Sequence, residues 1–360
     1  MLSANETIFE VNLKKLEQNY HYLKDKLNKD CEIIAVVKAF AYGHGDIPVC
    51  KKLEKLGVHA FWVADFEEGV TLRRSGIKTK IIIANPGRKS FKYIVENNLD
   101  VVIHNHHLLD YYISNQKNVN IHIKLNTGMN RYGFDPHEVD LVCEKLKKNK
   151  HLNIVSLCSH LSSSDDATKR KVSENQISLF ESLCSKIEEL LNKNIDMHIL
   201  NSNGLLYFKK KQFNFVRLGI SLFGSHIDNN LQQVSKLKSV ISQNRNIKKG
   251  EGVGYSSDFI SNKEMNISTI PIGYADGLNR KIGNGVGKIL VNKILCPIIG
   301  KICMDSLMID TSNIKCKVGD IVEIFGEQNS ILTLANDLGT NPYEIYSTIN
   351  RRIKRIYIDN

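Results

Sequence analysis

Between residues 30 and 220 the chain repeats one alternation: a short, continuous apolar run, then a stretch with helical spacing. The apolar runs are IIAVVKA (33–39), HAFWVAD (59–65), KIIIAN (80–85), DVVIHN (100–105), NIHIKLN (120–126), NIVSLCS (153–159), DMHILN (196–201) and FNFVRLG (213–219). Helical patterns lie between them over 47–57, 66–76, 90–98, 107–115, 137–149 and about 169–191, the first two ending in Gly. Continuous rather than alternating apolar runs mean strands buried on both faces, the mark of a parallel sheet covered by helices. Eight such units over roughly 200 residues fit a closed (β/α)8 barrel. A doubly wound sheet is the competitor, and strand number alone does not separate the two. Ahead of the first run, residues 12–27 carry Leu13, Leu16, Tyr20, Leu23 and Leu27 on one helical face, read as core.

After about residue 235 the long helical stretches give way to short runs such as NISTIPIG, GKILVNKILCPIIG and VGDIVEIFG, separated by Gly, Asn and Asp turns. This reads as an antiparallel β domain, closed by YEIYSTINRRIKRIYI as a short helix and an edge strand. The expected fold class is α/β: an N-terminal (β/α)8 barrel of the TIM type over 10–233, and a mostly-β domain from 1–9 with 234–360. An apolar fraction of 42% with 24% charged residues excludes a disordered or low-complexity chain. The net charge of +11 permits nucleic-acid or membrane-surface binding, but no aromatic-basic interleaving supports either, and a Lys- and Asn-rich surface accounts for it. The eight cysteines include no C-x-x-C pair and no zinc spacing, so they read as reduced thiols, with no metal site expected. The first residues, MLSANETIFEVNLKKLEQ, lack a basic then apolar leader, and no apolar run is long enough to span a bilayer. Cytoplasmic location is the expectation.

In a barrel, chemistry sits where strands end. Run one ends in Lys38, followed by AFAYGHG. A lysine there is costly to desolvate unless its pKa falls, and a neutral amine is the nucleophile that condenses with carbonyls; a lysine snorkelling at a strand end is the plain alternative. Run five leads to Arg131, a guanidinium suited to a carboxylate. Run six ends in His160, run seven in Asn201 and Ser202, run eight in Arg217 followed by Gly219 and Ile220, whose N–H groups offer an anion site. Singly these are weak signals. Together they suit a phosphate-bearing aldehyde such as pyridoxal phosphate.

VVKAFAYGHG resembles the pyridoxal-phosphate lysine motif of the alanine racemase family, and the resemblance continues in family order through KLNTGMNRYGF, CSHLSSSDD, LNSNG, VRLGISLFG, VGYSSDF, IPIGYADG, GKICMDSLMID and VGDIVEIFG. It implies a homodimer with shared sites, a small amino acid as substrate and pyridoxal 5'-phosphate as cofactor. Lys38 would carry the cofactor and act as one acid/base, with Tyr255 of the other subunit as the second. Tyr42, Ser202, Gly219 and Ile220 would hold the phosphate, with Asn201 alongside. Arg217 would bond the pyridine nitrogen, and His160 would bridge Arg217 and Tyr255. Arg131 and the Met304 backbone would bind the substrate carboxylate, while Tyr274 and Asp305 would line the entrance. The implied reaction is the interconversion of L- and D-alanine for peptidoglycan.

The chain departs from the family pattern at three places. Phe40 stands where the motif usually has Asn. Asn126 replaces an Asp before TGM, which removes a negative charge near Arg131 and is expected to loosen the carboxylate clamp. Arg351 stands where some members place a phosphate-binding Tyr. Lys124 matches a lysine carbamylated in some members; its state here is open. A racemase of serine or another small amino acid is the nearest rival. Related decarboxylases lack the VGYSSDF and CMD patterns in this order, and carrier-type pyridoxal-phosphate barrels lack the β domain.

Overall fold

The computed structural model describes residues 5–225 and 228–359; of the 1–9 and 234–360 segments assigned above to the β domain, residues 1–4 and 360 lie outside them. The chain divides into two compact units. One comprises Tyr20–Ala41 and Asp46–Ser221. The other gathers the chain up to Asn19, Tyr42–Gly45, and the chain from Leu222 onward.

Strand β1 (Ile8–Asn12) and helix Leu13–Lys24 come first. Leu13, Leu16, Tyr20 and Leu23 of that helix are buried as expected, but the helix stops at Lys24, so Leu27 lies beyond it. The barrel unit follows with β2 (Glu32–Val36), β3 (Ala60–Val63), β4 (Lys80–Ile83), β5 (Asp100–Ile103), β6 (Val119–Lys124), β7 (Leu152–Cys158), β8 (Asp196–His198) and β9 (Phe215–Leu218). All eight apolar runs are strands, each ending one to three residues before its run does, because the last residues turn into the loops. The strands pair in parallel in the order β8-β7-β6-β5-β4-β3-β2-β9. Backbone bonds from Asn214 N–H to Met197 O (3.2 Å) and from Arg217 N–H to Leu200 O (3.0 Å) link β9 back to β8. The sheet is therefore a closed barrel, which excludes the doubly wound alternative.

Ile34, Ala60, Trp62, Ile82, Val102, Cys158 and Phe215 form one buried cluster drawn from strands around the barrel. Burying an aliphatic or aromatic side chain of this size stabilises by roughly 1.5–3 kcal/mol. The long helix Arg170–Leu191 buries Ile177, Phe180, Leu183, Cys184 and Ile187 along one stripe and stops at Asn192, which adopts a left-handed conformation (φ 47°). Helix Ser202–Tyr207 was not expected from sequence; six residues are too few to show a helical period.

In the other unit, a nine-stranded sheet has the order β11-β14-β17-β16-β15-β18-β10-β1-β19. Its members after β1 are β10 (Ser235–Val240), β11 (Gln243–Ile247), β14 (Met265–Ile270), β15 (Lys288–Val291), β16 (Ile294–Ile299), β17 (Leu307–Asp310), β18 (Ile321–Phe325) and β19 (Lys354–Ile358), with β12 (Gly252–Val253) and β13 (Phe259–Ile260) as a separate ribbon. Pairing is antiparallel except between β1 and the edge strand β19. Helix Pro342–Thr348 precedes that edge strand as the sequence suggested, and helix Ile331–Asp337 adds to it.

The glycines of GHG serve the chain itself. Gly43 (φ 78°) lies so close to Tyr346 that a Cβ would overlap its carbonyl oxygen, and a Cβ on Gly45 (φ 99°) would overlap the Tyr357 hydroxyl. His44 between them is fully buried, stacked on Phe223 at 4.2 Å, with its ring nitrogens at 3.0 Å from Tyr42 O and Ser235 Oγ. Gly43→Ala should cost the left-handed penalty of about 1–2 kcal/mol plus about 1–3 kcal/mol for overpacking. Gly250→Ala, at φ 89° with nothing within 4 Å, should cost the first contribution alone. Denaturant midpoints of the two variants measure the difference.

Candidate active site

The segment after β2 is strained. Ala39, Phe40, Ala41 and Tyr42 all have φ between 51° and 58°, a left-handed turn in a chain of L-residues. Each such residue costs roughly 1–2 kcal/mol, and strain of this kind persists where the surroundings over-determine it. The anchor is Glu68, a residue sequence reasoning missed: its Oε1 accepts from Ala39 N–H at 2.6 Å and its Oε2 from Ala64 N–H at 2.7 Å. Asn tolerates this conformation far better than Phe, so Phe40 is the dearer residue at a position where the family motif has Asn. Lys38 heads this turn; although the residue is exposed, partial desolvation of its amine by the surrounding protein, reinforced by the Arg131 charge and opposed by Glu68, lowers its pKa below that of an ordinary lysine.

Arg217, on β9, is 4% exposed. It donates to the carbonyls of Ser159 (2.5 Å), Ile199 (3.0 Å) and His198 (3.1 Å), to His160 Nδ1 (3.2 Å), and to His198 Nδ1. Every one of these partners is neutral. Burial pulls its pKa down to about 10, so it stays charged at neutral pH. Burial, with Arg217 and the nearby cations Lys124, Arg131 and Lys38, drives the His160 pKa well below its usual value, so that imidazole is neutral. Since Nδ1 accepts from Arg217, the His160 proton resides on Nε2. Gln176, also missed from sequence, holds the loop by donating to His160 O at 3.0 Å and accepting from Ser162 N–H at 2.9 Å.

Ser202 Oγ lies 2.9 Å from Ser221 Oγ and accepts from Gly219 N–H (3.3 Å) and Ser221 N–H (3.4 Å). Ile220 between them is buried. These convergent hydroxyl and N–H donors can cradle an anion. Asn201 acts beside the cradle, accepting from Ser164 Oγ (2.9 Å) and capping the short helix through Gly204 N–H (2.8 Å).

Lys124 ends β6. Burial, with Arg217, Arg131 and Lys38 nearby, lowers its pKa to about 8. Arg131 is exposed on the following loop, and its charge is felt at Lys38, Lys124 and His160. Asn126 orders that loop: its amide donates to Asp135 Oδ1 (2.8 Å) and Asn130 Oδ1 (3.0 Å), and its carbonyl accepts from the N–H groups of Gly128 and Asn130. A carboxylate at 126 could not donate to Asp135, so the change to Asn is matched by a carboxylate nine residues further on.

In the other unit, Tyr42 is buried beside Phe223 and Tyr343, and burial pushes its phenol pKa up, leaving it protonated as a hydrogen-bonding group. Tyr255 is 68% exposed, in a turn where Gly254, Ser256 and Ser257 all have positive φ. Tyr274 and Met304 are also exposed; Tyr274 N–H bonds Cys303 O at 3.1 Å, and Ala275 N–H bonds Met304 O at 3.0 Å. Arg352 ties Asp305 (2.7 Å) to the buried Asp276 (2.7 Å), a clamp hidden in sequence within the basic run INRRIKR. Its neighbour Arg351 is exposed.

The depressed Lys124 amine has a thermodynamic consequence. Its folded-state pKa lies below the unfolded value, so between about pH 8 and the ordinary 10.5 the unfolded chain binds more protons and stability rises with pH. In carbon-dioxide-free buffer, Lys124→Met should be more stable than the parent at pH 7, with the gap closing across that window. Melting temperatures of the two proteins against pH provide the check; a constant gap would contradict a depressed amine.

Residues 11–226 match the family model for the alanine racemase N-terminal domain and residues 234–357 that for the C-terminal domain. The alanine racemase of Helicobacter acinonychis is 34% identical over 97% of this chain and 98% of its own length. The alanine racemase of Clostridium difficile 630 superposes with a TM-score of 0.93 at 30% identity, covering 99% of this chain and 97% of that one. The Bartonella henselae alanine racemase, solved with covalently bound pyridoxal phosphate, gives 0.89 at 28% identity, covering 98% and 99%. With both family domains matched in order along nearly its whole length, the chain belongs to the alanine racemase family of isomerases.

Proposed function

We propose that the chain interconverts L- and D-alanine with pyridoxal 5'-phosphate by a two-base mechanism, as a cytoplasmic homodimer with shared sites, supplying D-alanine for peptidoglycan. Serine or another small amino acid is the alternative substrate. The observation that carries the reading is Arg217: a buried, charged guanidinium with only neutral partners, in the same barrel as a depressed lysine amine and an anion cradle. These residues fit the cofactor's three handles, an aldehyde, a ring nitrogen and a phosphate. When bound, the cofactor supplies an electron-withdrawing ring conjugated to the substrate Cα.

Lys38 attaches the cofactor and exchanges a proton on one face. Ser202, Gly219, Ile220 and Tyr42 hold the phosphate, with Asn201 fixing the segment. Arg217 offers only N–H groups, so it denies the ring nitrogen a proton and keeps the electron sink weak. That favours prompt return of the Cα proton over slower side chemistry such as transamination. The second base is Tyr255 from the other chain. His160, with its proton on Nε2, can donate to the Tyr255 oxygen while Nδ1 accepts from Arg217, which lowers the cost of a phenolate. Arg131 and the Met304 backbone hold the substrate carboxylate; Tyr274 and Asp305 line the entrance, with Asp305 held by Arg352. A carbamate on Lys124, formed by its neutral amine and carbon dioxide, would turn a cation beside Arg131 into an acceptor for it. The 68% exposure of Tyr255 and 53% of Met304 suit residues that a second chain covers.

Tyr255→Phe should retain the cofactor and lower racemisation by more than about 100-fold, with residual Cα exchange confined to the enantiomer served by Lys38. Mixing it with Lys38→Ala under mildly dissociating conditions should restore roughly a quarter of parent activity, because half the dimers are mixed and half their sites intact. Undiminished turnover in Tyr255→Phe would remove it as second base, and no recovery from confirmed mixed dimers would rule out shared sites.

A further inference from the structure

Five consecutive barrel strands each contribute one polar side chain to a buried line leading away from the active site. Arg217 (β9) donates to His198 Nδ1 (β8). His198 Nε2 lies 2.9 Å from Ser156 Oγ (β7), Ser156 Oγ lies 2.7 Å from His122 Nδ1 (β6), and His122 Nε2 faces Asp100 Oδ2 (β5) at 3.5 Å. All five residues are at most 4% exposed. His122 Nε2 and Asp100 Oδ2 are buried with no hydrogen-bond partner closer than each other. The other carboxylate oxygen accepts from Asn120 Nδ2 at 2.9 Å.

Hydrogen positions along this line follow from one end. A guanidinium only donates, so His198 Nδ1 must be bare. The His198 pKa lies well below the usual value, through burial and then Arg217, so the imidazole is neutral and its single proton is on Nε2, donating to Ser156. Ser156 has already accepted there, and its own hydroxyl proton goes to His122 Nδ1. That leaves the His122 proton on Nε2, directed at the Asp100 carboxylate. The reverse orientation would set a bare His122 nitrogen against a buried carboxylate and point a His198 Nδ1 proton at the donor-only guanidinium, each leaving buried polar groups unsatisfied at a desolvation cost. The line is therefore one-way, from cation to anion.

We propose that Asp100, His122 and Ser156 are positioning residues for the reaction: they fix His198 in the tautomer that accepts from Arg217, and thereby hold the guanidinium aimed at the cofactor. This rests on the reading of Arg217 given above. Asp100 is also the carboxylate at the far end of a chain of polarised bonds, the countercharge that Arg217 lacks among its direct partners.

The test is nitrogen-15 NMR of histidine side chains in the dimer, with and without pyridoxal phosphate, paired with steady-state kinetics. In the parent, His198 and His122 should both show a protonated Nε2 and a bare Nδ1. Ser156→Ala removes the acceptor, and His122→Phe lets Ser156 turn and donate back to His198; in both, the His198 Nδ1 signal should move toward the protonated form. Their kcat for alanine should fall about tenfold or more, the scale for loss of a group-orienting hydrogen bond, with KM little changed. Ser156→Thr, which keeps the hydroxyl, should restore both readouts. A protonated His198 Nδ1 in the parent, or a His198 spectrum and kcat unmoved in both Ser156→Ala and His122→Phe, would overturn the proposal. The tautomer readout needs no turnover, so it stands or falls separately from the assigned reaction.

Discussion

A buried positive charge without a contacting anion organises the barrel mouth. Desolvating a guanidinium costs several kcal/mol, and only a full set of acceptors makes it tolerable. Arg217 finds them in carbonyls at the ends of β7 and β8 and in two neutral imidazoles. That demand dictates much around it. His160 and His198 must stay neutral, each with its Nδ1 bare, and the backbone after two strands must turn its carbonyls inward. Trp62 lies beneath the guanidinium, 5.4 Å from its ring centroid, adding a cation–π contact on the remaining side.

The barrel interior is correspondingly divided. Strands β2 to β4 line it with Ile34, Ala60, Trp62 and Ile82. Strands β5 to β9 also supply apolar residues, but they interleave Asp100, His122, Lys124, Ser156, His198 and Arg217. The apolar side provides packing energy, and the polar side spends part of it on holding charges in fixed orientation. The left-handed turn at residues 39–42 is a second such expense, fixed by Glu68 at one end and followed by the close approach of Gly43 to Tyr346.

The strands were legible because each is buried on both faces and so reads as an unbroken apolar run; barrel closure was not, since it depends on the last strand, β9, pairing with the first, β2, Ile34 beside Arg217, across a long sequence gap. Residues at strand ends, such as Lys38, His160 and Arg217, stood out because a polar group after an apolar run is conspicuous. Glu68, Gln176 and Arg352 did not, since each sits in a helix or basic stretch where its type is ordinary and only its partner gives it meaning. His122 and His198 could have been noticed as polar residues interrupting β6 and β8, but a lone histidine in a strand carries no direction; the direction came from Arg217. The expected loosening at Asn126 overlooked Asp135, whose carboxylate reaches the same loop from nine residues away.

Chemistry at Cα is the point on which the reading turns. The direct measurement is to incubate the folded, pyridoxal-phosphate-loaded protein with L-alanine, and separately L-serine, in deuterated water, and to follow both enantiomers by chiral separation and mass spectrometry. D-alanine should appear carrying deuterium at Cα and approach an equal mixture with L-alanine, with serine slower. Cofactor-loaded, folded protein that forms no D-alanine would contradict the assignment.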